Sequence, residues 1–103
     1  MPKQNIDKVL QFFSSLSDKT RLKIVISLSK NDKTVTEIYN GINENITLSA
    51  ISHQLKLLSN LGIVKFEKFG RERYYKLSKN FCWCILHDAF DHFSGKCKCS
   101  RRK

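Results

Sequence analysis

The cysteines have the clearest potential chemistry in this sequence, and all four follow residue 80. They form two Cys-x-Cys pairs, Cys82 with Cys84 and Cys97 with Cys99. Thiolates bind soft metals and are also oxidised readily, and the basic residues that flank the second pair favour the thiolate form. The pairs are therefore candidate ligands for As(III), Cd, Pb, Zn or Cu(I), or candidate redox sensors. Two plainer interpretations stay open: small buried residues for the first pair, and an unstructured basic end for the second.

A second set of metal-ligating residues lies between the two cysteine pairs. Imidazole and carboxylate groups recur there, and Asp88 and His92 are one helical turn apart. Such a set can bind zinc or nickel, although polar residues on a solvated helix surface have the same pattern. The residues are His87, Asp88, Asp91 and His92.

A predicted helix from about residue 47 to 61 has an apolar side and a polar side. Ile51, Leu55 and Leu58 share the face that we assign to the core, and no acidic residue occurs between Asn45 and Glu67. Short hydroxyls beside an imidazole, an amide and a lysine suit a helix that enters a DNA groove, because they let the backbone approach and can donate to bases and phosphates. The predicted DNA-contacting residues here are Ser49, Ser52, His53, Gln54 and Lys56.

A predicted hairpin follows this helix and carries further basic residues. Residues 63–68 alternate between apolar and charged side chains, as a half-buried strand does, and Gly70 lies in the turn before the returning strand. A ribbon rich in lysine and arginine fits a wing that contacts the DNA backbone or the minor groove. The predicted contacts are Lys65, Lys68, Arg71 and Arg73.

Composition agrees with a polyanionic partner. The chain has 103 residues and a net charge of +10, from 19 basic and 9 acidic residues, and such an excess is typical of small nucleic-acid-binding domains. We identify no nucleophile with a base and an orienting group, and no phosphate-binding glycine loop, so an enzyme is not expected. No apolar run approaches the length of a membrane span, and no secretory signal begins the chain. We therefore expect a cytoplasmic protein without a membrane partner.

The remaining elements are read from hydrophobic periodicity and capping residues. Two amphipathic helices precede residue 30, and Thr34 with Glu37 forms a capping box that opens a short third helix. A last helix is predicted from Asn80 to about Phe93. The fold class is thus mainly α with a β-hairpin wing: a winged helix-turn-helix with an extra helix at each end. Residues 1–95 are predicted to form this domain, and residues 96–103 a basic, cysteine-containing tail.

Two segments resemble the ArsR/SmtB family of winged-helix repressors that sense metals and other effectors. They read LSDKTRLKIVISL and SAISHQLKLLSNLGIVKFEKFGRERYYKLS, and the similarity covers roughly residues 8–93. The resemblance implies a homodimer formed through the first and last helices, bound to a double-stranded operator with an inverted repeat. It also implies that an effector releases the DNA.

The effector sites best known in this family fit the sequence poorly. The third-helix thiolate site resembles a Cys-x-Cys before an acidic residue, whereas Thr34 and Thr36 occupy those positions here. The last-helix zinc site keeps only His92. If the two last helices pack antiparallel in the implied dimer, Cys82 or Cys84 lies toward the partner's Cys97 and Cys99, so three thiolates can converge.

The sequence therefore predicts an ArsR-type repressor that is released by a thiophilic metal or metalloid acting on the C-terminal cysteines. Release by thiol oxidation and a regulator without a metal effector are the alternatives. A metal-handling protein that does not bind DNA specifically is the competing class.

Overall fold

The computed structural model describes residues 3–42, 45–79 and 83–95. Five helices and one antiparallel hairpin follow one another in the predicted order. They are α1 (Lys3–Leu16), α2 (Lys19–Lys30), α3 (Val35–Gly41), α4 (Leu48–Asn60), β1 (Val64–Phe69), β2 (Glu72–Leu77) and α5 (Cys84–Phe93).

Polar caps begin the helices that position the site. Asp18 accepts a hydrogen bond from the Arg21 amide at the start of α2, and Thr47 accepts one from the Ala50 amide at the start of α4. The predicted capping box at α3 is confirmed, since Thr34 and Glu37 each accept from the other's backbone amide. These bonds satisfy amides that have no partner within their own helix.

The core lies where α2, α3 and α4 meet the base of the hairpin. Ile51, Leu55 and Leu58 of α4 are fully buried, which confirms the predicted core face of that helix. They pack with Ile24 and Val25 of α2 and with further apolar residues in or directly next to α3 and the hairpin: Ile38, Ile42, Ile63, Val64 and Tyr75. Burial on this scale stabilises the arrangement of α4 beside the hairpin, because each large aliphatic side chain removed from water contributes about 1.5–3 kcal/mol.

The hairpin is attached to the helices by a bridge that local patterns did not predict. Lys33, in the loop between α2 and α3, forms an isolated antiparallel bridge with Tyr75 of β2. The Tyr75 amide donates to the Lys33 carbonyl (2.7 Å), and the Lys33 amide donates to the Tyr75 carbonyl (3.1 Å). The wing is therefore held to the core by backbone hydrogen bonds as well as by side-chain packing.

One expectation differs from the structure. The last helix begins at Cys84 rather than at Asn80, with Trp83 at its N-cap, and residues 80–82 lie outside the described residues. Among the described glycines, positive φ angles occur at Gly62, Gly70 and Gly95. The predicted tail, residues 96–103, also lies outside the described residues.

Candidate nucleic-acid interface

The exposed side of α4 carries most of the predicted recognition residues. Ser49, Ser52, His53 and Lys56 are exposed, on the side away from the three buried core residues of the same helix. The 3.6-residue period of the helix separates the two faces. The Thr47 cap and the buried face therefore fix which side chains α4 presents to a ligand.

Strand alternation divides the hairpin side chains into two faces. Lys68 pairs with Arg73 and Phe66 pairs with Tyr75, so these four side chains share one face. Lys65 pairs with Lys76 on the opposite face. We call the first of these the inner face, because Phe66, Arg73 and Tyr75 line a groove against α4.

This groove joins α4, the hairpin and the start of α3 in one open concavity of about 750 Å³. Its lining combines hydroxyl, amide, aromatic and cationic groups, which suits the sugar-phosphate backbone and the base edges of a nucleic acid. The lining residues are Thr34, Val35, Thr36, Ser52, Lys56, Ser59, Asn60, Phe66, Arg71, Glu72, Arg73 and Tyr75.

Four of the predicted DNA-contacting residues meet in the groove: Ser52, Lys56, Arg71 and Arg73. Ser49, His53 and Lys68 are exposed outside its lining, and Lys65 is exposed on the outer face of the hairpin.

Gln54 faces the protein. It is half-buried, and its Oε1 accepts a hydrogen bond of 2.8 Å from Arg21 Nε. The same guanidinium donates through Nη1 to the carbonyl oxygen of Ser15, at 3.4 Å. Gln54 thus connects α4 to α2 and to the end of α1, and this contact occupies the amide oxygen that was predicted to face DNA.

Several groove residues were absent from the predicted set. The sequence pattern predicts Phe66 and Tyr75 as strand residues only. In the strands they alternate with Lys65, Glu67 and Tyr74, and this alternation places both aromatic side chains on the same face as Arg73. Thr34 lies at the N-cap of α3, where its hydroxyl is engaged by the Glu37 amide. The strand period could have indicated the aromatic pair, whereas the closeness of α3 to the hairpin depends on tertiary packing.

The outer face of the hairpin is electrostatically paired. Lys76 donates to Glu67, and this hydrogen bond is the largest cause that lowers the pKa of Glu67 and raises the pKa of Lys76. The negative charge of Glu72 raises the pKa of Tyr74, whose hydroxyl also donates to that carboxylate (3.3 Å). In the strand register both acidic residues alternate with the inner-face cations Lys68 and Arg73, although Glu72, beside the turn, also lines the groove.

The predicted histidine and carboxylate set is partly brought together on α5. One ligand atom from each of His87, Asp88 and Asp91 lies within 4.8 Å of the others. His87 Nδ1 is 3.4 Å from Asp91 Oδ2, one turn along the helix. His92 is not a member of this group, and its ring packs edge-on against Phe93 with centroids 4.9 Å apart. The group could hold a borderline cation through nitrogen and oxygen donors.

Of the four cysteines, Cys84 alone lies within the described residues. It is exposed at the first position of α5, and its sulfur is disulfide-bonded. Cys82, Cys97 and Cys99 lie outside the described residues. Cys84 also lines an apolar cavity of about 540 Å³ between α2 and α5, together with Ile26, Ser29, Trp83, Leu86, His87, Phe90 and Asp91.

Apolar side chains remain exposed on the two outermost helices. The α1 stripe comprises Ile6, Val9, Leu10 and Phe13, of which Leu10 is 62% exposed. On α5, Ile85, Phe90 and Phe93 are exposed and no residue is buried. Exposed apolar stripes of this kind are typical of a protein-protein interface. Among the described residues, no helix is both long enough and apolar enough to span a membrane.

Comparison with known proteins is consistent with this architecture. The family model described as bacterial regulatory protein, arsR family, matches residues 18–65. A cadmium resistance transcriptional regulatory protein CadC homolog from Staphylococcus aureus is 41% identical over 93 residues, which cover 89% of this chain and 75% of that protein. A transcriptional repressor SmtB homolog from Synechocystis is 31% identical over 85 residues, and the match spans 82% of this chain but 63% of that protein.

Solved structures show the same fold. The solution structure of apo-NmtR has a TM-score of 0.76 and 29% identity, and the match covers 100% of this chain and 86% of that chain. HlyU from Vibrio cholerae has a TM-score of 0.78 at 22% identity, with 89% and 97% covered, and shows similarity of fold alone. The identity to the Staphylococcus aureus protein and the matched family model establish the family. This chain belongs to the ArsR family of bacterial regulatory proteins, a family of winged helix-turn-helix transcriptional regulators rather than enzymes.

Proposed function

We propose that this chain is a dimeric, sequence-specific transcriptional repressor that binds double-stranded DNA through α4 and the hairpin. One observation carries the proposal: the polar face of α4 and the cationic face of the hairpin line a single groove. In this arrangement α4 enters the major groove, where Ser52 and His53 contact base edges. Lys56, Arg71 and Arg73 bind phosphates on either side.

A homodimer is part of the proposal because one α4 reads only a half-site. The exposed apolar stripes of α1 and α5 supply the surface that two copies would bury against each other. A two-fold dimer places its recognition helices about 34 Å apart on one side of an inverted repeat. The proposed setting is the cytoplasm, where the operator is accessible.

The experiment that tests DNA binding is selection of duplexes from random sequence, followed by titration of the enriched duplex by fluorescence anisotropy. A repressor enriches an inverted repeat, whereas a metal-handling protein enriches none. Ser52→Ala and His53→Ala should change the sequence preference. Arg71→Gln should weaken binding to every duplex and reduce the salt slope by about 1.

Lys65→Gln is the matched control for Arg71→Gln. Both residues are exposed cations of the hairpin, but Lys65 lies on the outer face. We expect the Lys65 change to reduce affinity less than the Arg71 change. Equal losses would show that the outer face binds DNA as well, and unchanged affinity in the Ser52, His53 and Arg71 variants would refute the assigned surface.

We further propose that a thiophilic metal or metalloid releases the DNA by binding the C-terminal cysteines, Cys82, Cys84, Cys97 and Cys99. Thiolates select As(III), Cd, Pb, Zn or Cu(I) over hard cations. One observation supports this effector class: the relative from Staphylococcus aureus is named for cadmium resistance. Cys84, which is exposed at the start of α5, would bind a metal only after its disulfide is reduced. The alternative is release by oxidation, in which the same cysteines form a disulfide.

Titration of the reduced protein on its operator with each metal and with peroxide separates these effectors. A Cys97→Ser/Cys99→Ser double variant should lose the response. A metal response that survives in this variant would move the site to His87, Asp88 and Asp91, which lie within 4.8 Å of one another. Release by peroxide alone would establish the oxidation alternative.

A further inference from the structure

Arg73 is stacked on an aromatic ring inside the groove. Its Cζ lies 4.6 Å from the centroid of the Phe66 ring, well within the range of a cation-π interaction. Phe66 packs in turn on Tyr75, with ring centroids 5.5 Å apart. Tyr75 is buried, and its backbone is bonded to Lys33 in the loop before α3. The guanidinium is therefore connected to the protein core through two rings in series.

The position of Arg73 is unfavourable for the hairpin itself. It is directly opposite Lys68, and like charges opposite each other in a strand pair are destabilising. On the outer face Lys76 is paired with Glu67, whereas no salt bridge to Arg73 is found among the described residues. The Phe66 ring beneath Arg73 is itself 41% exposed. This position leaves the positive charge of Arg73 available to bind an external anion.

Stacking leaves the binding groups of Arg73 accessible. A guanidinium stacked on a ring uses its planar face, and its five N–H donors lie in the plane, where they can form a bidentate contact with a phosphate. Arg73 lines the groove with Ser52 and Lys56 of α4. A phosphate bound there would lie between the hairpin and the recognition helix.

We propose that Phe66 is a positioning residue for DNA binding: its ring orders the Arg73 guanidinium in the groove for contact with a backbone phosphate. This inference rests on the proposed DNA-binding function. The ring acts by reducing the rotamer freedom that a long arginine side chain loses on binding. Removing the ring should therefore weaken DNA binding only while Arg73 is present.

A double-mutant cycle on the selected operator tests this coupling. Arg73→Gln should weaken binding about tenfold and Phe66→Leu about threefold, as expected for one phosphate contact and one exposed cation-π contact. The double variant should lose no more than Arg73→Gln alone. Phe66→Tyr should bind like wild type, because the tyrosine ring stacks equally well.

Phe69→Leu combined with Arg73→Gln is the matched control cycle. Phe69 is an exposed aromatic of the same strand as Phe66, but it lies on the outer face, where its ring packs edge-on against Tyr74 with centroids 5.6 Å apart. In this control cycle the fold-loss of DNA affinity in the double variant should equal the product of the fold-losses in the two single variants. Melting temperatures measured in parallel should show that every variant is folded. Independent losses for Phe66 and Arg73 would overturn the inference, while failure of the wild-type protein to bind any DNA would overturn the proposed function instead.

Discussion

The contact between Gln54 and Arg21 predicts that Gln54 contributes to stability rather than to DNA affinity. Replacing Gln54 with leucine keeps a similar volume but removes the acceptor of the 2.8 Å bond from Arg21 Nε. Hydrogen bonds to charged groups contribute about 1.5–3 kcal/mol. Both side chains are half-buried, so we expect the lower end, a loss of about 1.5 kcal/mol. For a chain of this size the melting temperature should fall by roughly 6–12 °C.

Thermal denaturation followed by circular dichroism measures this loss at one fixed protein concentration, since the stability of a dimer depends on concentration. Ser52→Ala is the matched control, because Ser52 is an exposed residue of the same helix and should change stability by no more than about 0.5 kcal/mol. Arg21→Met should destabilise the protein to a similar extent. The double variant that combines Arg21→Met with Gln54→Leu should be only slightly less stable than either single variant, because both changes remove the same hydrogen bond.

Anisotropy titrations well below the melting temperature complete the test. Gln54→Leu should bind the operator nearly as wild type does, whereas Ser52→Ala should bind it more weakly or with altered sequence preference. A Gln54→Leu protein that melts like wild type but loses DNA affinity would refute this reasoning. That result would place Gln54 at the DNA surface, as the sequence predicts.

Three further predictions concern the interface, the core and the pH dependence. Phe13→Glu places a charge on the exposed α1 stripe; sedimentation should detect a monomer, and affinity for the inverted repeat should fall about 100-fold as the second half-site contact is lost. Ile51→Ala should cost about 2–5 kcal/mol in urea unfolding, because Ile51 is fully buried in the core. Glu67→Gln should lower the melting temperature slightly at pH 7. Because the Lys76 hydrogen bond lowers the pKa of Glu67 below 4.5, that difference should vanish in melts recorded as pH falls through the lowered pKa. A difference that does not shrink as the pH falls would contradict this cause.

Much of the recognition helix could be predicted from local sequence. Thr47 and Gly62 define its ends, and the spacing of Ile51, Leu55 and Leu58 defines its buried face. These signals act over one or two helical turns, so they do not depend on the rest of the chain. The two segments that resemble ArsR-type repressors extended this local reading to a family, and the comparisons confirm it.

Other features of the structure could not be predicted from local sequence patterns. Gln54 lies on the edge between the two faces of α4, and only the packing of α2 against α4 brings Arg21, 33 residues away, to its amide oxygen. The start of α5 also differs from the prediction: the helix begins at Cys84 and not at Asn80. The hydrophobic periodicity of the sequence extends back through residues 80–83, so it does not show where the helix begins.

The sequence by itself determined the order of the elements, the buried and exposed sides of α4 and the positive charge that a DNA ligand requires. Capping, periodicity and composition are local or additive properties, and a sequence displays them directly. The tertiary structure decided which cations share a groove with α4: Arg73 faces it above Phe66, whereas Lys65, one residue from Phe66, faces away. Only the bridge between Lys33 and Tyr75 and the packing of the core set the angle of the hairpin to α4, because contacts between distant residues depend on the whole fold.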